Sequence, residues 1–188
     1  MLFCEGKRTE PSYFEGIRRQ LRRAAVDIRV RPQVGSPSRL VRHAVRADLD
    51  GVDEVWCLFD VEAPEPHGDL NEALRLAAGN PAIRLAVSNP CFELWLLLHF
   101  EDWRSYLTSA DARTKLTAWL PNIGKHLDAR DRAVALMFDQ VDAAINRAVR
   151  LEPDAAASTI TKRNPSTSVR ELLLSLHSPS DARQGTRH

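Results

Sequence analysis

Short apolar runs separated by amphipathic stretches fill the first hundred residues of the chain. Leu2-Phe3-Cys4 is the first run, and it ends at Glu5-Gly6. Tyr13, Phe14, Ile17 and Leu21 then recur at helical spacing, with Arg18, Arg19, Arg22 and Arg23 toward the other side. This pattern predicts a helix that takes Pro11 in its first turn and reaches about residue 23. Residues 26–30 alternate and predict a second strand. Gly35-Ser36-Pro37-Ser38 opens a helix over 38 to about 49, with Leu40, Val41, Ala44, Val45 and Leu49 inward. Residues 54–59 form a third apolar run. A Pro-rich loop follows, then Asp69 placed to cap a helix ending near Gly79, then a fourth strand over 83–87. Strands alternating with helices argue for βαβ units and a parallel sheet.

Beyond residue 90 the pattern becomes all-helical. Asn89 and Pro90 suit the N-cap and first turn of a helix over 91–100. Further helices are predicted over about 110–119, 130–151 and 169–177, with a linker at 153–158. Ser168 and Glu171 have the spacing of a capping box. The expected organisation is an α/β core over 1–100, a helical C-terminal extension packed on it over 101–177, and a flexible polar tail over 178–188.

Composition narrows the class. An apolar share of 44% and a charged share of 27% are ordinary for a globular chain with a core. The longest apolar run, 94–100, is broken by His99 and too short to span a membrane. Glu5 follows the N-terminus at once and leaves no room for a signal peptide, so a cytoplasmic protein is expected. Cys4, Cys57 and Cys91 are odd in number and lack metal-binding spacing, which argues for buried thiols and against zinc. Net charge is +1, yet residues 51–102 carry 10 Asp/Glu against 2 Lys/Arg, between basic flanks. An acidic middle with basic walls suits a phosphate-rich polymer; basic helices that merely solvate the surface fit as well.

The candidate chemistry lies where the runs end. Glu5 closes the first, and Asp60 and Glu62 close the third. Residues two apart in an extended segment face one side. If the strands are parallel neighbours, these acids share the sheet edge where open α/β folds bind ligands. Converging carboxylates repel one another unless a cation neutralises them, and Mg²⁺ favours such oxygen donors. Taken singly, each acid is an ordinary solvated turn residue. Glu93 begins a helix that is apolar nearly all round, where a charge needs an arginine or a metal for a partner. Lys7 and Arg8 can clamp a phosphate, and Lys162 and Arg163 lead into a hydroxyl-rich helix start that can do the same. His67 lies just after the acid pair, either as a proton carrier or as an exposed loop histidine.

The segments Glu5-Gly6-Lys7-Arg8-Thr9-Glu10-Pro11-Ser12-Tyr13-Phe14, Asp60-Val61-Glu62, 88–100 (Ser-Asn-Pro-Cys-Phe-Glu-Leu-Trp-Leu-Leu-Leu-His-Phe) and 164–169 (Asn-Pro-Ser-Thr-Ser-Val) resemble the RloB-like proteins. The resemblance runs from residue 2 to about 176, and 88–100 is its most specific part. It implies the Toprim superfamily of topoisomerases, primases and nucleases, with a compact parallel sheet of about four strands between helices. It implies that Glu5 is the Toprim glutamate, a general acid/base or metal ligand, and that Asp60 and Glu62 fill an Asp-x-Asp motif binding Mg²⁺ or Mn²⁺. The second acid is Glu here, one methylene longer. The run before Glu5 is also short for a strand that the fold makes internal. The activity so implied is a Mg²⁺-dependent nuclease cleaving DNA or RNA in antiphage defence by abortive infection, with an ABC-type ATPase as partner. The alternative is a degenerate, non-catalytic subunit that binds nucleic acid or that ATPase. Topoisomerase chemistry fits poorly, because the only tyrosines, Tyr13 and Tyr106, both read as helical.

Overall fold

The apolar runs become the strands of one sheet. The computed structural model describes residues 1–21, 30–32, 35–121 and 132–177. Its chain order is β1 (Leu2–Cys4), α1 (Thr9–Leu21), β2 (Val30–Pro32), α2 (Pro37–Arg46), β3 (Val55–Asp60), α3 (Leu70–Ala78) and β4 (Ile83–Asn89), followed by α4 (Phe92–Leu97) and α5 (Ser109–Leu116). Then come α6 (Arg132–Asp139), α7 (Val141–Leu151), α8 (Ala157–Ile160), β5 (Ser166–Thr167) and α9 (Val169–His177). The sheet order is β2-β1-β3-β4-β5. The first four strands are parallel, and β5 adds antiparallel to β4.

Both faces of the sheet are covered, which is why its strands read as continuous apolar runs. Leu2, Cys4, Trp56, Leu58 and Ala86 pack with Tyr13, Phe14 and Ile17 of α1, Phe92 and Trp95 of α4, and residues of α6, α7 and α9. Phe3, Val55, Cys57, Phe59, Ile83 and Val87 point the other way, against α2, α3 and Ile160 of α8. The chain leaves β1 for β2 on one side and returns to β3 on the other. The strand order therefore reverses between β1 and β3, the switch point at which such sheets open a crevice at their carboxyl ends.

Several expectations need correction. Asp69 does not cap α3; its carboxylate accepts the Ser38 N–H at 2.9 Å and so serves the start of α2. Asn89 is the last residue of β4, and the N-cap position of α4 falls to Cys91. The Asn89 amide instead ties the C-terminal segment to the sheet, donating to Ile160 O and accepting from Asn164. α4 is shorter than 91–100, because Arg147 of α7 donates to the carbonyls of Leu98 and His99 where the helix ends. The helix expected over 130–151 is two helices meeting at Gln140. The 153–158 linker already contains the start of α8. The all-helical reading beyond residue 90 missed β5. Ser168 makes no capping box: its hydroxyl accepts the Val87 N–H at 2.9 Å, and Glu171 pairs with Arg170. Tyr106 lies outside any helix and is exposed, whereas Tyr13 is buried in α1. The second strand overlaps the described residues only at Val30; Arg22, Arg23, the rest of 26–29 and the 178–188 tail lie outside them.

Candidate functional site

Glu5 leaves β1 and Asp60 ends β3, side by side at the carboxyl edge of the sheet. The Glu5 N–H continues the pairing, donating to Leu58 O at 3.1 Å. Glu5 Oε2 accepts the Asp60 N–H at 3.3 Å. Its other oxygen lies 3.3 Å from His67 Nε2, so His67 comes back from the Pro-rich loop to serve the first acid. Val61 and Glu62 then turn away from the strand. Their N–H groups donate to Ser88 O and Pro90 O, both at 2.8 Å. These bonds hold Glu62 at a φ of 66°, a left-handed conformation costly for a residue with a Cβ. Glu93, in the first turn of α4, completes the set.

These residues line one cleft of about 400 Å³, together with Gly6, Lys7, Arg8, Thr9, Glu10, Phe92 and Arg113. Five of its side chains are carboxylates. Glu10 and Arg113 were missed in the sequence. Glu10 is in phase with Tyr13, Phe14 and Ile17 at i, i+3, i+4 and i+7, so it heads the buried stripe of α1 and is only 8% exposed. That phase was the available signal. Gly6 turns out to make room for it, because a Cβ at Gly6 would overlap the Glu10 carboxylate. Arg113 has no comparable signal, since it arrives from α5, far along the chain. Its Nη2 lies 3.3 Å from Glu62 Oε1 and its Nε 3.5 Å from Glu93 Oε1. Lys7 and Arg8 are exposed at the cleft wall. Lys162 and Arg163 do not line the cleft; Arg163 pairs with Glu152 at 3.0 Å.

Crowding shows in the titration of the acids. Burial first, then the carboxylates of Glu10, Glu93, Glu5 and Glu62, push the Asp60 carboxyl well above its ordinary range. Burial, Glu93 and Glu5 push Glu10 up to about 7. Burial also raises Glu5, against the pull of His67 and the Asp60 N–H. The cleft therefore disfavours the charged form of three of its five acids. Its donors are hard carboxylate oxygens of the kind Mg²⁺ and Mn²⁺ take, so in donor chemistry the residues fit a divalent cation. Among the described residues, no group of three His, Cys, Asp or Glu side chains already stands in an arrangement that would hold an ion. The three cysteines are free and buried. Burial raises all three thiols, Cys57 to about 12, which leaves none as a neutral-pH nucleophile. No helix among the described residues is long and apolar enough to cross a membrane.

The family model of the RloB-like proteins matches residues 1–176, and the chain belongs to that family. No curated protein and no solved structure matches it significantly.

Proposed function

We propose that this RloB-like protein is a Mg²⁺-dependent nuclease of the Toprim type that hydrolyses phosphodiester bonds of DNA or RNA in antiphage defence. One observation carries the reading: five carboxylates from two strand ends and two helix starts face one cleft at the switch point, where burial and their neighbours disfavour the charged form of three of them. Asp60 and Glu62 would hold the metal, Mg²⁺ or Mn²⁺, and Glu93 would complete its shell. When bound, such an ion polarises a phosphate and lowers the pKa of a water beside it. Glu5 either binds a second ion or moves a proton, and His67, 3.3 Å from its Oε1, is placed to exchange one with it. Lys7 and Arg8 at the cleft wall would hold the polyanion. The defence setting and an ABC-type ATPase partner follow from the family resemblance, and co-purification with an ATPase encoded beside it tests that partner.

The deciding experiment is cleavage of plasmid, tRNA and total RNA with Mg²⁺ or Mn²⁺. Wild type should cleave at least one of them, and Glu5→Gln and Asp60→Asn should lose 100-fold or more, on the order of one removed catalytic group. Activity that survives both substitutions overturns the assignment. A second reading, a binding subunit without chemistry, is favoured by Arg113, which already satisfies Glu62 and Glu93 with a cation of the protein's own.

A further inference from the structure

Two hydrogen bonds fix α5 against the loop that follows β3. The Ala63 N–H donates to Ser109 Oγ at 3.2 Å, and the Ser109 N–H donates back to Ala63 O at 3.0 Å. Ala63 is the neighbour of Glu62, so the register of α5 is set from the acid segment itself. Arg113 stands four residues beyond Ser109, on the same face of the helix and one turn along. That turn brings its guanidinium over two acids from different elements, Nη2 to Glu62 and Nε to Glu93, at 3.3 and 3.5 Å. The Arg113 side chain is still 52% exposed, so it can change rotamer while the helix stays in place.

We propose that Arg113 is a displaceable internal cation. It occupies Glu62 and Glu93 while the cleft is free of metal, yields them to the divalent ion, and turns its guanidinium to a phosphate of the bound nucleic acid. This rests on the reading that the cleft takes a divalent ion. The argument is one of shared lone pairs. A divalent ion would take the carboxylate lone pairs directly, and the same oxygens cannot keep a guanidinium seated on them. The ion also repels the guanidinium, which has open solvent on its exposed side. Arginine's planar fork then matches a phosphate at the cleft mouth. Arg113 should therefore oppose metal binding and assist substrate binding. A purely structural residue would affect both in the same direction.

The test titrates full-length wild type, Arg113→Gln and Arg113→Lys with Mn²⁺ by calorimetry after chelator treatment. Affinity for a short oligonucleotide is then measured with Mn²⁺ present. Arg113→Gln should bind Mn²⁺ several-fold more tightly than wild type and the oligonucleotide several-fold more weakly, with Arg113→Lys closer to wild type in both. Circular dichroism confirms the fold, and Arg113→Lys supplies the comparison if the glutamine variant is unstable: its Mn²⁺ affinity should be at least that of wild type. Mn²⁺ affinity that is weaker in both variants, or unchanged in a folded Arg113→Gln, overturns the proposal. Tighter Mn²⁺ binding without weaker oligonucleotide binding overturns the phosphate contact. If wild type binds Mn²⁺ but cleaves nothing, the nuclease reading fails while the Mn²⁺ affinities still decide the role of Arg113. If neither wild type nor Arg113→Gln binds Mn²⁺, both fall.

Discussion

Glu10 shows how much one misplaced charge can report. It heads the apolar stripe of α1, at a position where Tyr13 and Phe14 below it are fully buried. A charged carboxylate is expensive at so buried a position. Its ordinary value is 4.5, and the cleft raises it to about 7. Between those values the native protein binds a proton that the unfolded chain has released. The stability from this group is thus complete below about pH 4.5 and is lost as pH rises through about 7. Melted in chelator from pH 5 to 8, the protein should lose up to about 3 kcal/mol from Glu10. Glu10→Gln should flatten much of that slope, and an unchanged slope would mean that the titrating group is another. Glu62 makes the same point through its backbone. Its φ of 66° is a conformation that glycine adopts without strain, and here it carries a carboxylate into the cleft. The place of these acids at the cleft was legible in the sequence, because Glu5, Asp60 and Glu62 close apolar runs and Glu93 breaks an apolar helix. Arg113 interrupts none, and only the tertiary fold brings it in.

At the scale of elements, what escaped the sequence is what the C-terminal third does for its neighbours. Arg170 opens α9 and is 2% exposed, which is unusual for arginine. Its guanidinium caps the end of α7, donating to Ala148 O at 2.9 Å, to Glu152 O, and to Pro153 O at 2.8 Å. Ala148 O also accepts the Glu152 N–H at 3.0 Å, whereas Glu152 O lies past the last helical bond, where a helix C-terminus leaves carbonyls without intrahelical partners. α7 in turn closes α4 through Arg147, so the support passes from α9 to the helix that carries Glu93. Periodicity cannot show this, since a capping arginine and a surface arginine look alike in a sequence. Arg170→Leu should leave the buried Glu152 carbonyl unsatisfied and cost roughly 1–3 kcal/mol. Arg170→Lys should fall between that variant and wild type. Urea unfolding measures both, and a loss below about 1 kcal/mol for the leucine variant would remove the capping role.

For the molecule as a whole, the site and the fold are one problem in charge and packing. The parallel core was legible because strands covered on both faces read as apolar runs, and the carboxyl edge followed from strand order. β5 was not legible. Two residues carry no period, and Ser166 and Thr167 form a strand only because β4 offers them an open edge. The extension is therefore bonded into the sheet that presents the acids: the Ser168 N–H donates to Val87 O at 2.9 Å, and Asn164 reaches both Asn89 and Leu107. Trp56 lies in β3, Trp95 in α4, and Trp103 and Trp119 beyond, so fluorescence samples both parts of the chain. Far-UV and fluorescence melts should coincide in a single transition. On that transition, Asp60→Asn should separate the stability of the fold from the chemistry of the cleft. Asparagine keeps the shape and removes an ionisable group that burial and four other carboxylates disfavour as an anion. Without metal at pH 8 the variant should melt above wild type by roughly 2–4 °C for each kcal/mol of desolvation and repulsion relieved. With rising Mg²⁺ the wild type should overtake it, because an ion that binds only the native state stabilises in proportion to the logarithm of its concentration. A variant that melts below wild type without metal, or that keeps the full Mg²⁺ shift, would show that Asp60 serves the fold and not the ion.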